Sequence, residues 1–95
     1  MADGLVAIHF WVDGAVQGVG FRYQAQREAE ALGVHGWVRN LVDGRVEGIA
    51  EADTPSLQKF VDWLRHGPCP ARVQELVVES CPSLGLQGFR VCGDA

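Results

Sequence analysis

Residues 34–52, VHGWVRNLVDGRVEGIAEA, decide the fold. Two runs rich in β-branched and aromatic residues flank Asp43-Gly44, a dipeptide that is the strongest short-range signal for a tight hairpin. We therefore predict a strand over residues 34–41 and an antiparallel return strand over residues 45–52. This hairpin is the fixed point from which the neighbouring elements can be placed.

Helical periodicity lies on both sides of the hairpin. Before it, an apolar stripe predicts a helix over residues 21–32, with Gly33 where a C-terminal cap is expected. The stripe consists of Phe21, Ala25, Ala29 and Leu32. After the hairpin, we predict a second helix with Thr54 as N-cap, Pro55 at the first helical position and Gly67-Pro68 as the stop. Its apolar face consists of Leu57, Phe60, Val61 and Leu64.

Three further strands complete the order. We predict them over residues 5–12, 73–80 and 87–92, the last one short. The order β-α-β-β-α-β plus a short fifth strand predicts an α+β, ferredoxin-like two-layer sandwich. Both helices would cover one face of a mainly antiparallel sheet. The other face would be open and would carry His9, Trp11, Trp37 and Ile49.

Composition narrows the class of protein. With 95 residues, of which 47% are hydrophobic, we expect a single domain over residues 1–95 with a core over about 5–92. A net charge of −4 with only 8 Lys and Arg argues against a nucleic-acid binder. The three cysteines fit neither a disulfide framework nor a metal-binding spacing. No apolar run is long enough to span a membrane. We therefore expect a cytoplasmic protein. The acidic residues predicted to lie on solvated faces are Glu28, Glu30, Glu47 and Glu51.

The most informative chemistry lies in residues 14–22, GAVQGVGFR, between the first strand and the first helix. Successive backbone N–H groups in such a glycine-rich loop can form an anion-binding nest, and the helix N-terminus adds unpaired donors and a positive dipole end. Arg22 would bring a guanidinium, which suits phosphate, to the same place. The loop is neither a Walker A motif nor a dinucleotide fingerprint. A plain strand-to-helix connection remains the alternative.

A second polar residue is predicted at the same edge of the sheet. In this topology the first and second strands are parallel, so Val12 and Asn40 end side by side. Strand alternation turns Asn40 toward the helices and Arg39 away from them. Asn40 could therefore reach an anion bound by the loop. Alternatively, Asn40 has only a structural role, as a polar residue at the junction between the strand and its hairpin turn.

Together these stretches resemble the acylphosphatase family. Its first motif is similar to residues 14–22, and its second to residues 36–40 with Asp43, Gly44, Val46 and Glu47. The similarity extends from about Val6 to Phe89. Positions farther along that also fit the family are Trp63, Gly67-Pro68, Ala71 and Val73.

The resemblance implies an enzyme that hydrolyses the carboxyl–phosphate anhydride of a small acyl phosphate, with no metal, no cofactor and no covalent intermediate. It implies that Arg22 binds the phosphoryl group and that Asn40 holds the attacking water. The backbone N–H groups implied to cradle the phosphoryl oxygens belong to Val16, Gln17, Gly18, Val19, Gly20 and Phe21.

Alternatives and partners complete these expectations. One alternative is a non-catalytic acylphosphatase-like module that binds a phosphorylated metabolite, such as carbamoyl phosphate, within a larger assembly. We expect no nucleic-acid or membrane partner, and a monomer, with weak self-association through the open sheet face as the alternative. The polar tail after Val91 either approaches the site or frays.

Overall fold

The computed structural model describes residues 5–93. Within this range the chain forms β1 (Val6–Ala15), α1 (Phe21–Leu32), β2 (His35–Asn40), β3 (Val46–Ala52), α2 (Thr54–His66), β4 (Arg72–Cys81) and β5 (Phe89–Val91). The predicted element order and the ferredoxin-like α+β fold are confirmed. Over the described residues, neither helix has the length and apolar character needed to cross a membrane.

The sheet has the order β4-β1-β3-β2-β5. The pairs β1–β3, β1–β4 and β2–β3 are antiparallel, whereas β2–β5 is parallel. Val12 and Asn40 are both paired with Val46 of β3, one on each side of it. The end of β1 and the end of β2 therefore lie at the same edge of the sheet, as the sequence predicts.

The core lies between the helices and the inner face of the sheet. The ring of Phe60 on α2 meets Phe10 of β1 and Phe89 of β5 edge-to-face, with centroids 6.0 and 5.6 Å apart. On α1, Ala25 and Ala29 are fully buried, and their small side chains let this helix lie close to the sheet. Full burial of a phenylalanine side chain contributes about 1.5–3 kcal/mol, so this aromatic cluster is a main source of stability.

Two predicted boundaries are wrong, and the other predicted strand and helix ends agree to within two residues. β1 does not end at Val12, because Gly14 and Ala15 continue pairing with β4 beyond a bulge that follows Asp13. Gly14 has φ +134°, and a Cβ there would overlap the carbonyl of Arg72, so the glycine allows close strand pairing rather than a loop. The N-cap of α2 is Asp53, not Thr54: its Oδ1 accepts from the Ser56 N–H at 2.9 Å, and Thr54 already begins the helix.

The prediction that Glu51 lies on a solvated face is also wrong, since its exposed fraction is 0%. β4 and β5 are on opposite edges of the sheet, and residues 82–88 connect them past Glu51 on the central strand β3. The Glu51 carboxylate accepts hydrogen bonds from the Ser83 hydroxyl, from the Leu86 N–H at 2.9 Å and from the Gly85 N–H at 3.3 Å. This buried carboxylate therefore fixes the connection to β5.

Glu47 is the second buried acid, with an exposed fraction of 8%. It lies on the sheet face away from the helices, where its Oε1 accepts from Arg39 Nε at 2.8 Å and its Oε2 is hydrogen-bonded to His9 Nε2 at 2.7 Å. The Arg39 guanidinium lies 5.5 Å from the Trp37 ring centroid, and His9 stacks on Trp11 at 4.0 Å. On the open face, these polar side chains are therefore hydrogen-bonded to one another and stacked against aromatic rings. On α1, by contrast, Glu30 is exposed and Glu28 partly so.

Candidate active site

The loop between β1 and α1 contains two glycines in the left-handed conformation and leads to an uncapped helix N-terminus. Val16 anchors its start in the core, with 1% of its surface exposed. Gly18 and Gly20 have φ values of +75° and +79°, in the left-handed region that residues with a Cβ adopt at a cost. Gly20 is the N-cap of α1 and has no side chain that could occupy the first N–H groups of the helix. These donors are thus turned toward the loop.

A cavity of about 230 Å³ opens at this loop. Its lining brings together Arg22 of α1 and Asn40 of β2, which the sequence predicts at the same sheet edge. The full lining consists of Val16, Gly18, Gly20, Phe21, Arg22, Tyr23 and Asn40. Gln17 and Val19, also predicted as site residues, belong to the same loop but not to the lining. A larger pocket of about 400 Å³ beside Ile8 and Leu57 contains no basic residue in its lining and is less suited to an anion.

Arg22 is oriented by the chain that follows β5. Its Nη1 donates to the carbonyl oxygen of Cys92 at 2.6 Å. Cys92 is itself held in place, because its N–H donates to the Val38 carbonyl of β2 at 2.8 Å. Of the two expectations for the tail, approach to the site is therefore met as far as Cys92, whereas Asp94 and Ala95 lie outside the described residues.

Asn40 ends β2 on the helix-facing side, and its exposed fraction is 8%. Arg39, the preceding residue, points to the open face and pairs with Glu47 there. Alternation along this strand thus separates the two polar side chains as predicted. The amide of Asn40 reaches the cavity while the guanidinium of Arg39 does not.

Two residues of this region were not recognised from the sequence in the positions that they hold. Tyr23 lines the cavity. Its position next to Arg22 in the first helical turn is the sequence feature that could have indicated this. The side chain of Gln17 extends to the β2–β3 hairpin, where its Nε2 donates to the carbonyl oxygens of Leu41 at 2.7 Å and Arg45 at 2.9 Å. Both acceptors are backbone carbonyls, which have no signature in the sequence.

The electrostatics of the cavity favour a small anion. Arg22 supplies a formal positive charge, and the helix N-terminus adds a partial one. The seven lining residues include no Asp or Glu. The negative charge of a phosphoryl group suits this lining.

Comparison with known proteins agrees with this geometry. The family model described as Acylphosphatase matches residues 8–91, which include the loop, Arg22 and Asn40. The chain belongs to the acylphosphatase family. The match also covers β1 through β5 except for the first two residues of β1.

Individual acylphosphatases are similar along nearly their whole length. The chain is 48% identical over 88 residues to the acylphosphatase of Thermococcus kodakarensis, covering 93% of this chain and 97% of that protein. It is 48% identical over 86 residues to the acylphosphatase of Pseudomonas paraeruginosa, covering 90% and 94%. The solved structure of an acylphosphatase from Coxiella burnetii superposes with a TM-score of 0.91 at 36% identity, over 97% of this chain and 100% of that one.

Proposed function

We propose that this chain is an acylphosphatase that hydrolyses the carboxyl–phosphate anhydride of small acyl phosphates to a carboxylate and inorganic phosphate. Family membership supports the activity. The observation that carries the chemistry is the single cavity in which Arg22, the glycine loop and Asn40 meet. Curated relatives with this name match over 86–97% of their own length, which favours an enzyme over a non-catalytic binding module.

The first step is binding of the phosphoryl group. In this proposal the Arg22 guanidinium binds it through charge-assisted hydrogen bonds. The backbone N–H groups of the loop and the first helical turn surround the remaining oxygens. The residues concerned are Val16, Gln17, Gly18, Val19, Gly20 and Phe21. In this proposal the backbone fixes these donors, so the charge that develops in the transition state is stabilised with little reorganisation.

The second step is direct attack by water. Asn40 holds this water, accepting a hydrogen bond from one of its O–H groups through the side-chain carbonyl and fixing its direction toward phosphorus. A bond forms between the water oxygen and phosphorus, and the phosphorus–oxygen bond to the acyl group breaks, with its electron pair leaving on the carboxylate. The proton that the attacking water loses passes to an oxygen of the phosphate product or to solvent. Phosphoryl transfer of this kind relies on positioning and charge stabilisation, so an asparagine, which is not a base, suffices.

The leaving group explains why neither a metal nor a strong acid is needed. A carboxylate leaves readily, unlike the alkoxide of an alkyl phosphate, and the positive charge that a metal would contribute comes from Arg22 and the N–H groups. We further propose that the protein acts as a monomeric single domain in the cytoplasm, without nucleic-acid or membrane partners.

The test is hydrolysis of benzoyl phosphate, followed by phosphate release with and without EDTA. We expect turnover that is unchanged by the chelator and not increased by added magnesium. Methyl phosphate, which has a poor leaving group, is the matched control and should not be hydrolysed measurably. Absence of benzoyl phosphate turnover would reject the proposed activity. A tenfold loss in EDTA would reject the metal-independent mechanism alone.

A further inference from the structure

The Gln17 side chain joins the two halves of the site. Gln17 is the second residue of the loop, between the buried Val16 and the left-handed Gly18. Its Nε2 uses both of its hydrogens, one toward the Leu41 carbonyl at 2.7 Å and one toward the Arg45 carbonyl at 2.9 Å. Leu41 is the residue directly after Asn40. One amide group therefore connects the loop to the backbone adjacent to Asn40.

The two acceptors belong to the closed end of the β2–β3 hairpin. The Leu41 N–H donates to the Arg45 carbonyl at 2.8 Å, and the Gly44 N–H donates to the Leu41 carbonyl at 3.2 Å. These bonds make the hairpin end a rigid unit that includes the backbone next to Asn40. The loop, in contrast, is continuous with α1 and Arg22. Gln17 adds two side-chain hydrogen bonds between these units, next to the β1–β3 pairing that ends at Val12 and Val46.

We infer that Gln17 is a positioning residue that sets the separation between the phosphoryl cradle and the water held by Asn40. This inference rests on the proposed function, since it assigns the cradle to the loop and the water to Asn40. The phosphoryl group is bound by the loop and Arg22, whereas the water is bound by Asn40, next to the hairpin end. Because β1 stays paired with β3 as far as Val46, loss of the Gln17 amide leaves the sheet intact and releases only the loop from the hairpin end.

This role predicts a specific kinetic pattern. Gln17→Met keeps the length of the side chain and removes both hydrogen bonds. We expect kcat to fall about 10–100-fold, because a displacement of about 1 Å between reacting groups can cost about 10²-fold. The inhibition constant for inorganic phosphate should change less than about threefold, because the whole cradle stays on the loop. A purely structural role would lower the melting temperature without this division between turnover and binding.

Gln26→Met is the matched control. Gln26 on α1 also donates its amide to a backbone carbonyl, that of Phe89 at 2.9 Å, but it does not line the cavity. We expect it to lose comparable stability and to keep kcat within about threefold. Native turnover of benzoyl phosphate, measured first, establishes the activity, so failure of the proposed function is distinguishable from failure of this inference.

A double-mutant cycle with Asn40→Ala decides whether Gln17 acts through Asn40. If it does, Gln17→Met should reduce kcat less than about twofold when Asn40 is already alanine, because the misaligned group is gone. Retention of the full 10–100-fold loss in that background would overturn the inference. So would a native kcat in Gln17→Met, or a loss of phosphate affinity as large as the loss of kcat.

Discussion

In the proposed mechanism, binding of the phosphoryl group and stabilisation of its charge both depend on Arg22. Replacing it with alanine removes the cation of the cavity, and a single arginine at a phosphoryl-transfer site contributes about 10³–10⁵ in rate. We expect Arg22→Ala to lose turnover on this scale and to bind inorganic phosphate much more weakly. Arg22→Lys should restore little, because an ammonium group cannot reproduce the planar guanidinium fork. Steady-state kinetics and phosphate inhibition measure both effects.

Arg27 provides the control for this prediction. It lies on the same helix and is exposed, outside the cavity lining. Arg27→Ala should retain turnover within about twofold. Equal losses in the two variants would mean that net charge, rather than a placed guanidinium, governs the rate.

Asn40 is expected to separate turnover from binding. Asn40→Ala should lower kcat by about 10²–10³, the range observed when one preorganised polar group is removed from a catalytic site. Phosphate affinity should remain near native, because Arg22 and the N–H groups are unaffected. Asn40→Asp keeps the size but places a carboxylate beside the anion, so both kcat and phosphate affinity should fall.

The alternative role of Asn40 makes the opposite prediction. If it only eases β2 into the hairpin, Asn40→Ala should melt at a lower temperature and turn over normally below it. Thermal melts followed by circular dichroism, alongside the kinetics, distinguish these outcomes.

The placement of these residues shows how far sequence reasoning reaches at this scale. The opposite directions of Arg39 and Asn40 follow from strand alternation, which requires only the correct strand phase. The partners of Arg22 and Gln17 could not be predicted, because both donate to backbone carbonyls. The acceptor of Arg22 is 70 residues away and those of Gln17 are 24 and 28 residues away, so only the fold brings them together.

At the scale of elements, the buried acids of β3 predict sensitivity to low pH. Burial alone raises the pKa of Glu47, but hydrogen bonds and charges from Arg39 and His9 outweigh it and hold the pKa below its usual value of 4.5. Hydrogen bonds from the Ser83 hydroxyl and from N–H groups of residues 82–88 likewise lower the pKa of Glu51, because their effect is larger than the opposing effect of burial. A carboxyl group with a lowered native pKa stabilises the fold above its unfolded pKa, and this contribution is lost as pH falls through the native pKa.

We therefore expect the melting temperature to drop steeply below about pH 4.5. Glu51→Gln should be less stable than the native chain at pH 7 but should lose less on acidification, because it has one titrating group fewer. The exposed Glu30 on α1 offers the matched comparison, as Glu30→Gln. A pH profile of Glu51→Gln parallel to that of the native chain would show that Glu51 does not contribute to the acid transition.

The boundaries of the elements show where local signals suffice. α1 has the predicted bounds because glycines in the left-handed conformation lie at both ends, Gly20 and Gly33. The sequence alone does not show whether Gly14 is a turn residue or a site of close strand approach. Pairing with β4 selects the second, and β1 is therefore longer than predicted. The burial of Glu47 and Glu51 was missed for a related reason, since their partners come from other strands or from the β4–β5 connection.

At the scale of the whole molecule, ligand binding should be visible as thermal stability. A ligand at about 100 times its Kd stabilises the native state by about 2.7 kcal/mol. For a domain of this size that corresponds to roughly 10–20 °C in Tm. We expect inorganic phosphate to produce such a shift in the native chain and in Asn40→Ala, and a much smaller one in Arg22→Ala.

Potassium chloride at equal ionic strength is the control for this measurement. It screens charges in the same way, but chloride lacks the several oxygen acceptors of phosphate. A shift of equal size in chloride would mean that general screening, not phosphate in the cavity, stabilises the chain.

The shared pairing of Val12 and Asn40 with Val46 has a consequence for the lengths that this chain tolerates. A shift of one residue along a strand moves every side chain to the opposite face of the sheet. Removing one residue from β2 before Asn40 would therefore place the Asn40 amide on the open face, and the side chain of a neighbouring residue would take its place toward the helices. A residue lost from β1 would likewise displace the loop from Asn40. Residues 82–88 run outside this alignment, and several of them are exposed. Insertions and deletions among natural relatives are therefore expected to collect in that connection and to spare the strands that frame the cavity.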